Sequence, residues 1–330
     1  MRNIFVYIGL VASIANVITA KRAVPGNIVA PSAHTVYQFP DHGSWIANIA
    51  GRRNSGLVVT RADVPEAWAI DAHSGTAEHI ATIPDVSSLV GITAIDDDTF
   101  VVVAGNLSLE TLEPQPGSFS VWKVKLGYNT VDVNLITAIP EAKFLHGVTV
   151  FRRHKGCTEV LIADPAQSAV YRLNTNTAKY SIALQDNVHL AGANNIQLHK
   201  GYLYYASTPN KFFGRVRVSW HDASARGDFQ TIFNNSGVVP DGFALSRDGR
   251  AAYMATLQQN SVVRVDLNND RHGIVTIYGG ENSTDIPGPT TVILQREGRR
   301  NTLYVPTNGG LVAPVKGTYT EPAKVVAIKI

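Results

Sequence analysis

The chain has 330 residues, 29 Lys+Arg against 26 Asp+Glu, a net charge of +3 and a single cysteine. So slight a charge, with no basic run interleaved with aromatics, points away from nucleic acid and from an anionic membrane surface. One cysteine excludes an internal disulfide framework, and the apolar, strand-flanking context of Cys157 predicts a buried thiol more than a nucleophile.

Residues 1–20 place Arg2 ahead of an apolar run, IFVYIGLVASIANVITA, that ends at Ala20. This is the form of a secretory signal peptide, leaving residues 21–330 as a single domain. The other reading is an uncleaved anchor, because the run lies near the lower limit for spanning; Ser13, Asn16 and Thr19 interrupt it and favour the signal peptide. No second segment is long and apolar enough to cross a bilayer, so the mature chain is expected off the membrane, in the secretory pathway or secreted. Sequons at Asn106, Asn234 and Asn282 fit glycosylation on that route.

From there the chain reads as short apolar runs separated by Gly, Asn, Pro and Ser turns, with no long helical period. His34–Pro40 (HTVYQFP) is one isolated strand. Blade-like groups of four follow: WIANIA, GLVVTR, AWAID and TAEHIATIP; then GITAI, TFVVVAGN, SVWKVKL and VDVNLITAIP; then FLHGVTVF, CTEVLIAD, AVYRL and AKYSIAL. The fourth group is NNIQL, GYLYYAST, FGRVRV and FQTIF, and the fifth GFALS, AAYMAT, SVVRVDL and GIVTIY. The sixth has only TTVIL, TLYVPT and VVAIKI. A recurrence about every 43 to 56 residues has the length of a propeller blade. The fold expected is therefore all-β, a six-bladed propeller of four-stranded antiparallel blades, with His34–Pro40 supplying the missing outer strand of the last blade and removing an exposed edge.

In an antiparallel blade, the start of the first strand and the end of the second lie on one face of the ring. The first-strand starts bring Trp45, Ala47, Asn48, Leu89, Val90, His146, Asn194, Asn195, Asp241 and Pro289 to one mouth. The second-strand ends bring Arg61, Asn106, Asp164, Ser207, Thr256 and Asn308. This predicts a funnel of mixed polarity. Several members have a plainer explanation. Asn48, Asn106, Asn195 and Asn308 suit turns that bond their own backbone, and Asp164, ahead of Pro165, suits a turn start. Arg61 can pair with Asp63 or Glu66, and Trp45 can be core or wall. His146 and Asp241 lack a local backbone need that Ser could not meet. Asp96–Asp98 reads as a solvated hairpin on the opposite face. The chain has no GxSxG, HExxH or Walker motif, and no GxGxxG between a strand and a helix.

The layout, with ANNIQL in blade four and PDGFALSRDG in blade five, resembles the six-bladed SMP-30/gluconolactonase-like propellers over nearly all of residues 21–330. GSWIANIA, LVVTRADVPEAWAID, VVVAGN, GSFSVWKV, VLIAD and AVYRL are similar to a fungal branch of that family found in secondary-metabolite clusters. That branch includes hetero-Diels-Alderases that join a tropolone quinone methide to a humulene-type alkene. The resemblance implies apolar polyketide and terpenoid substrates. Metal-dependent lactonases of the family hold a divalent ion with a Glu in blade one, an Asn in blade four and an Asp in blade five, often with an Asn from blade three. Asn194 and Asp241 match; Ala47 and His146 stand in the other two places. A hard cation needs several oxygen ligands, so neither a metal nor a cofactor is expected.

The resemblance then implies a pericyclase in which His146, Asn194 or Arg61 donates to the heterodiene oxygen. Asp241 orients the donor or assists a preceding loss of water. Trp45, Leu89 and Phe144 are expected as apolar wall, with Asn48, Asn106, Asn195, Ser207, Thr256 and Asn308 around the substrate. The alternatives are a lactonase with an altered ligand set and a non-catalytic binding propeller.

Overall fold

The computed structural model describes residues 31–52, 56–154, 156–268, 272–297 and 300–330. The predicted signal peptide lies outside them. Strand β1 (Ser32–Gln38) precedes blade one, which is β2 (Ile46–Gly51), β3 (Gly56–Arg61), β4 (Glu66–Asp71) and β5 (Thr76–Thr82). Blade two is β6 (Ser88–Asp96), β7 (Thr99–Gly105), β10 (Ser120–Leu126) and β11 (Val131–Ala138), with the small hairpin β8 (Leu107–Ser108) and β9 (Glu113–Pro114) inserted after β7. Blade three is β12 (Val148–His154), β13 (Cys157–Asp164), β14 (Ala169–Asn174) and β15 (Tyr180–Gln185). Blade four is β16 (Ala193–His199), β17 (Tyr202–Ser207), β18 (Phe212–Arg217) and β19 (Gln230–Asn234). Blade five is β20 (Phe243–Leu245), β21 (Ala251–Thr256), β22 (Ser261–Asp266) and β23 (Ile274–Gly279).

Blade six has β24 (Ile293–Glu297), β25 (Arg300–Pro306) and β26 (Lys324–Lys329) from the C-terminal end, and β1 as its outer strand. β1 pairs antiparallel with β26 from Ser32↔Lys329 to Gln38↔Lys324. Val36 and Phe39 are buried beneath it. The sequence-based expectation of a six-bladed ring closed by an N-terminal strand is met.

The apolar runs have a specific cause. Successive side chains of a strand point to opposite faces, and each inner blade face packs against a neighbouring blade. In β7, Phe100, Val102 and Ala104 pack toward blade one, while Val101 and Val103 pack toward blade three. β13 repeats this, with Val160 and Ile162 facing blade two and Leu161 and Ala163 facing blade four. Strands buried on both faces read as continuous hydrophobic runs. The outer strands face solvent and lack such runs: in β11, Val131, Asp132, Asn134 and Leu135 are exposed. The described core accordingly falls into six apolar clusters, one at each seam between successive blades.

Close seams require small residues. At Gly147 a Cβ would lie 2.6 Å from Asn194 O, and at Gly242 it would lie 2.2 Å from Thr291 Cβ. Both glycines follow residues of the predicted site, and their lack of a side chain lets adjacent innermost strands approach.

Candidate active site at the ring mouth

The innermost strands share a register where they begin. His146 N donates to Ala163 O, Asp241 N to Ala255 O and Thr290 N to Pro306 O, each across to the second strand of its own blade. In blades one and four the same place is a bulge that sets Ala47 and Asn194 opposite the ends of β3 and β17. A bulge adds one unpaired residue and re-aims its side chain. Blade six thus contributes Thr290 at this level, where the sequence pattern suggested Pro289. The Thr290 hydroxyl is spent on Ile46 O, 2.9 Å away.

Blades three, four and five converge chemically. Asp241 is buried, and its Oδ1 accepts from Asn194 Nδ2 (2.9 Å), Asn195 Nδ2 (3.3 Å) and Thr208 Oγ1 (3.5 Å). Asn194 Nδ2 also donates to Thr208 Oγ1 at 3.0 Å. Burial pushes the Asp241 carboxyl up to about 7, against the opposing pull of the hydrogen bonds from Asn194, Thr208 and Asn195. At neutral pH it is shared between acid and carboxylate.

Burial pushes His146 the other way, down to about 4, with the Asn194 backbone carbonyl opposing. The ring is therefore neutral at pH 7. Two buried polar atoms in this cluster have no hydrogen-bond partner among the described residues, His146 Nδ1 and Asn194 Oδ1. Unpaired buried groups of this kind are costly unless something else meets them, which is how ligand contacts present themselves. The Phe144 ring packs edge-on to His146 (5.2 Å between centroids, 88°) and leans on Phe119 (5.8 Å). The polar cluster thus has an aromatic side.

Asp241, Asn194, Asn195, His146 and Phe144 are brought together as the sequence suggested. Thr208 completes the group and was missed. Other candidates are committed elsewhere. Arg61 is a bidentate partner of Asp63, lies 3.9 Å from Glu66 and stacks over Phe39 (4.6 Å), so its guanidinium is held on the rim. Leu89, expected as funnel wall, is fully buried in the seam between blades one and two and offers no surface to a ligand.

Ser207 and Thr256 are fully buried and donate to Ala191 O and Ser261 O, which makes them turn supports. Asn308 Oδ1 accepts from Gly310 N, and Asn48 Oδ1 accepts from Ile49 N, both local backbone bonds. Asp164 holds the turn carrying Phe144, accepting from Lys143 N (2.8 Å) and Phe144 N (3.1 Å). Trp45 is half-buried, with its backbone N–H on Asp63.

Among the sequons, Asn234 and Asn282 are exposed, whereas Asn106 Nδ2 is engaged by Gln115 and its Oδ1 accepts from Ser87 N. Cys157 is half-buried at the opposite mouth, not enclosed in the core as its sequence context suggested.

A six-bladed propeller with a buried acid, two asparagines and a neutral histidine gathered at one mouth is the class these features define. The chain belongs to the family described as SMP-30/Gluconolactonase/LRE-like region, which matches residues 29–308. It is 23% identical over 338 residues to a protein of Phoma sp provisionally named hetero-Diels-Alderase, covering 88% of this chain and 91% of that one. A second relative, asR5 of Sarocladium schorii, bears the same provisional name at 22% identity over 340 residues, with 89% and 83% covered. In fold the chain is similar to a luciferin-regenerating enzyme (TM-score 0.61, 12% identity, 91% of this chain and 95% of that one). It is also similar to regucalcin, a calcium-binding protein of Agrobacterium tumefaciens (TM-score 0.59, 11% identity, 91% and 95% covered).

The donor set at this mouth does not suit a divalent cation. Among the described residues it offers one carboxylate, that of Asp241, and Ala47 supplies no side-chain oxygen from blade one. Calcium takes six to eight oxygen ligands, among which carboxylates supply the charge.

Proposed function

We propose that this protein is a pericyclase, an intermolecular hetero-Diels-Alderase that joins a tropolone quinone methide to a humulene-type alkene at the Asp241 mouth. The observation that carries this reading is Asp241 itself, a buried carboxyl poised near neutrality beside two unpaired polar atoms and an aromatic wall. The provisional names of the two relatives support the reaction class.

The cycloaddition asks little covalent chemistry of the protein. Six π electrons rearrange, one C–C and one C–O bond form, and no proton or electron is gained or lost. Catalysis comes from holding both partners in a near-attack pose and from a donor on the heterodiene oxygen. Protonated Asp241 is that donor. The same acid serves the preceding step: its proton goes to a departing hydroxyl, the C–O bond breaks and water leaves. The proton of the tropolone O–H then returns to the carboxylate, so the acid is regenerated. His146, neutral with an unpaired Nδ1, receives a substrate O–H, and Phe144 packs against the apolar partner.

The test is to mix the purified protein with a quinone-methide precursor and the alkene, and to compare rate and product handedness with the uncatalysed mixture. A faster reaction giving one stereoisomer is expected. Products formed at the background rate as a racemate would overturn the reading, and hydrolysis of simple lactones in the same preparation would favour a lactonase.

A further inference from the structure

A cavity of about 1020 Å³ opens at the mouth opposite Asp241. Its lining comes from the ends of the first strands and the hairpins after them, whereas the Asp241 cluster sits where first strands begin. Its charged lining is Arg52, Lys123, Arg153 and Arg296 against Asp96 and Asp97. Arg52 is paired with Asp98 at 2.5 Å.

Two of the cations are differently placed. Among the described residues Arg153 has no carboxylate partner; it donates Nε to Ile95 O (3.0 Å) and Nη2 to Ala94 O (3.1 Å), which pins the guanidinium and leaves Nη1 without a described acceptor. Lys123 is half-buried, and none of the described groups accepts from its amine.

We propose that this cavity binds a small organic oxyanion, a carboxylate or phosphate of metabolite size, between Arg153 and Lys123. A concave site with surplus positive charge concentrates anions. A guanidinium already held by backbone carbonyls loses little freedom when it meets an oxyanion, and the ammonium adds a point charge. The volume is that of a small-molecule pocket, far more than an inorganic ion fills. This site is independent of the pericyclase reading, because it shares no residue with the Asp241 cluster.

The chain carries its own reporter. Cys157 is the one cysteine in the sequence, and it lines this cavity half-buried. Labelling of the full chain with neutral iodoacetamide is measured in citrate or in inorganic phosphate, each against sodium chloride of equal ionic strength. Slower labelling that saturates with at least one of the two is expected, and which one protects separates carboxylate from phosphate. Protection should be lost in Lys123→Gln and in Arg153→Gln, and kept in Asp241→Asn. Arg153 ties blade three to blade two, so its variant can fail to fold; Lys123 has no described partner to lose, and its variant decides alone. Labelling indifferent to both anions, or protection that survives Lys123→Gln, overturns the proposal.

Discussion

Asn194 Nδ2 donates to Asp241 Oδ1 at 2.9 Å across the seam between blades four and five. The bond joins two blades at the mouth and spends the amide's donor side on the carboxylate, so that its oxygen is left unpaired. The orientation is that of a hydrogen-bond network around an acid.

Asp241→Asn should fold and lose rate. It keeps shape and the strand register fixed by the backbone bond to Ala255 O, while removing the acidic proton. Loss of a positioned acid costs about 10²- to 10⁴-fold in rate. Steady-state rates with the substrate pair, beside a circular dichroism spectrum that matches the parent, check this. A folded variant of full activity would reduce Asp241 to a strand-start residue.

Stability against pH should show two opposed slopes. The Asp241 carboxyl titrates near 7 in the folded chain against an ordinary 3.8, so between those values the folded state holds the extra proton and stability falls as pH rises. His146 titrates near 4 against an ordinary 6.5, so in that window the unfolded chain holds the extra proton and stability rises with pH. Each contributes at most about 1.4 kcal/mol per pH unit, and between about pH 4 and 6.5 they offset. Asp241→Asn should expose the rising slope and His146→Gln the falling one. Denaturant midpoints measured across pH 4 to 8 read both; identical profiles for parent and variants would remove the opposed titrations.

Metal should be dispensable. Elemental analysis of the purified protein is expected to find no stoichiometric calcium, zinc or manganese, and a chelator should leave rate and melting temperature unchanged. One tightly bound ion per chain would revive the lactonase reading.

Phe39→Ala should destabilise the ring by about 3–5 kcal/mol, as for a buried phenylalanine in a packed core. Phe39 is 2% exposed, lies under the Arg61 guanidinium and packs edge-on to Trp68 (5.3 Å), linking the segment after β1 to blade one. Removal of residues 21–40 should cost more, because β26 would lose its outer partner. Thermal unfolding indistinguishable from the parent in both variants would contradict the closing role.

The blade layout could be read from sequence because inner strands are buried on both faces: runs such as FVVVAG and VLIAD are visible without knowing what they touch. The closing strand was visible as a shortage in blade six. The hairpin β8–β9 was not, since Leu107–Ser108 and Glu113–Pro114 are two residues each, too short to show a period, and pair with each other. At the site, topology alone gathered Asp241, Asn194 and His146. It could not find Thr208, whose contact depends on the relative rotation of two blades, nor Thr290, whose place depends on register in a short strand. Arg61 and Leu89 failed for a related reason: strand position gives the mouth a residue is near, while the side chain's direction decides whether it lines that mouth or a seam.

The pairing of β1 with β26 has a consequence for biosynthesis. The two strands are separated in sequence by all the other strands of the ring, so the clasp cannot shut until β26 has been made. Blades one to five are each built from one continuous stretch and can assemble in order as they emerge, since their pairings are local. Until then β1 waits as an unpaired ribbon, the kind of edge that invites a second chain. Two nascent copies side by side could exchange this strand, and the dimer so formed would contain every contact of the monomer while joining two rings.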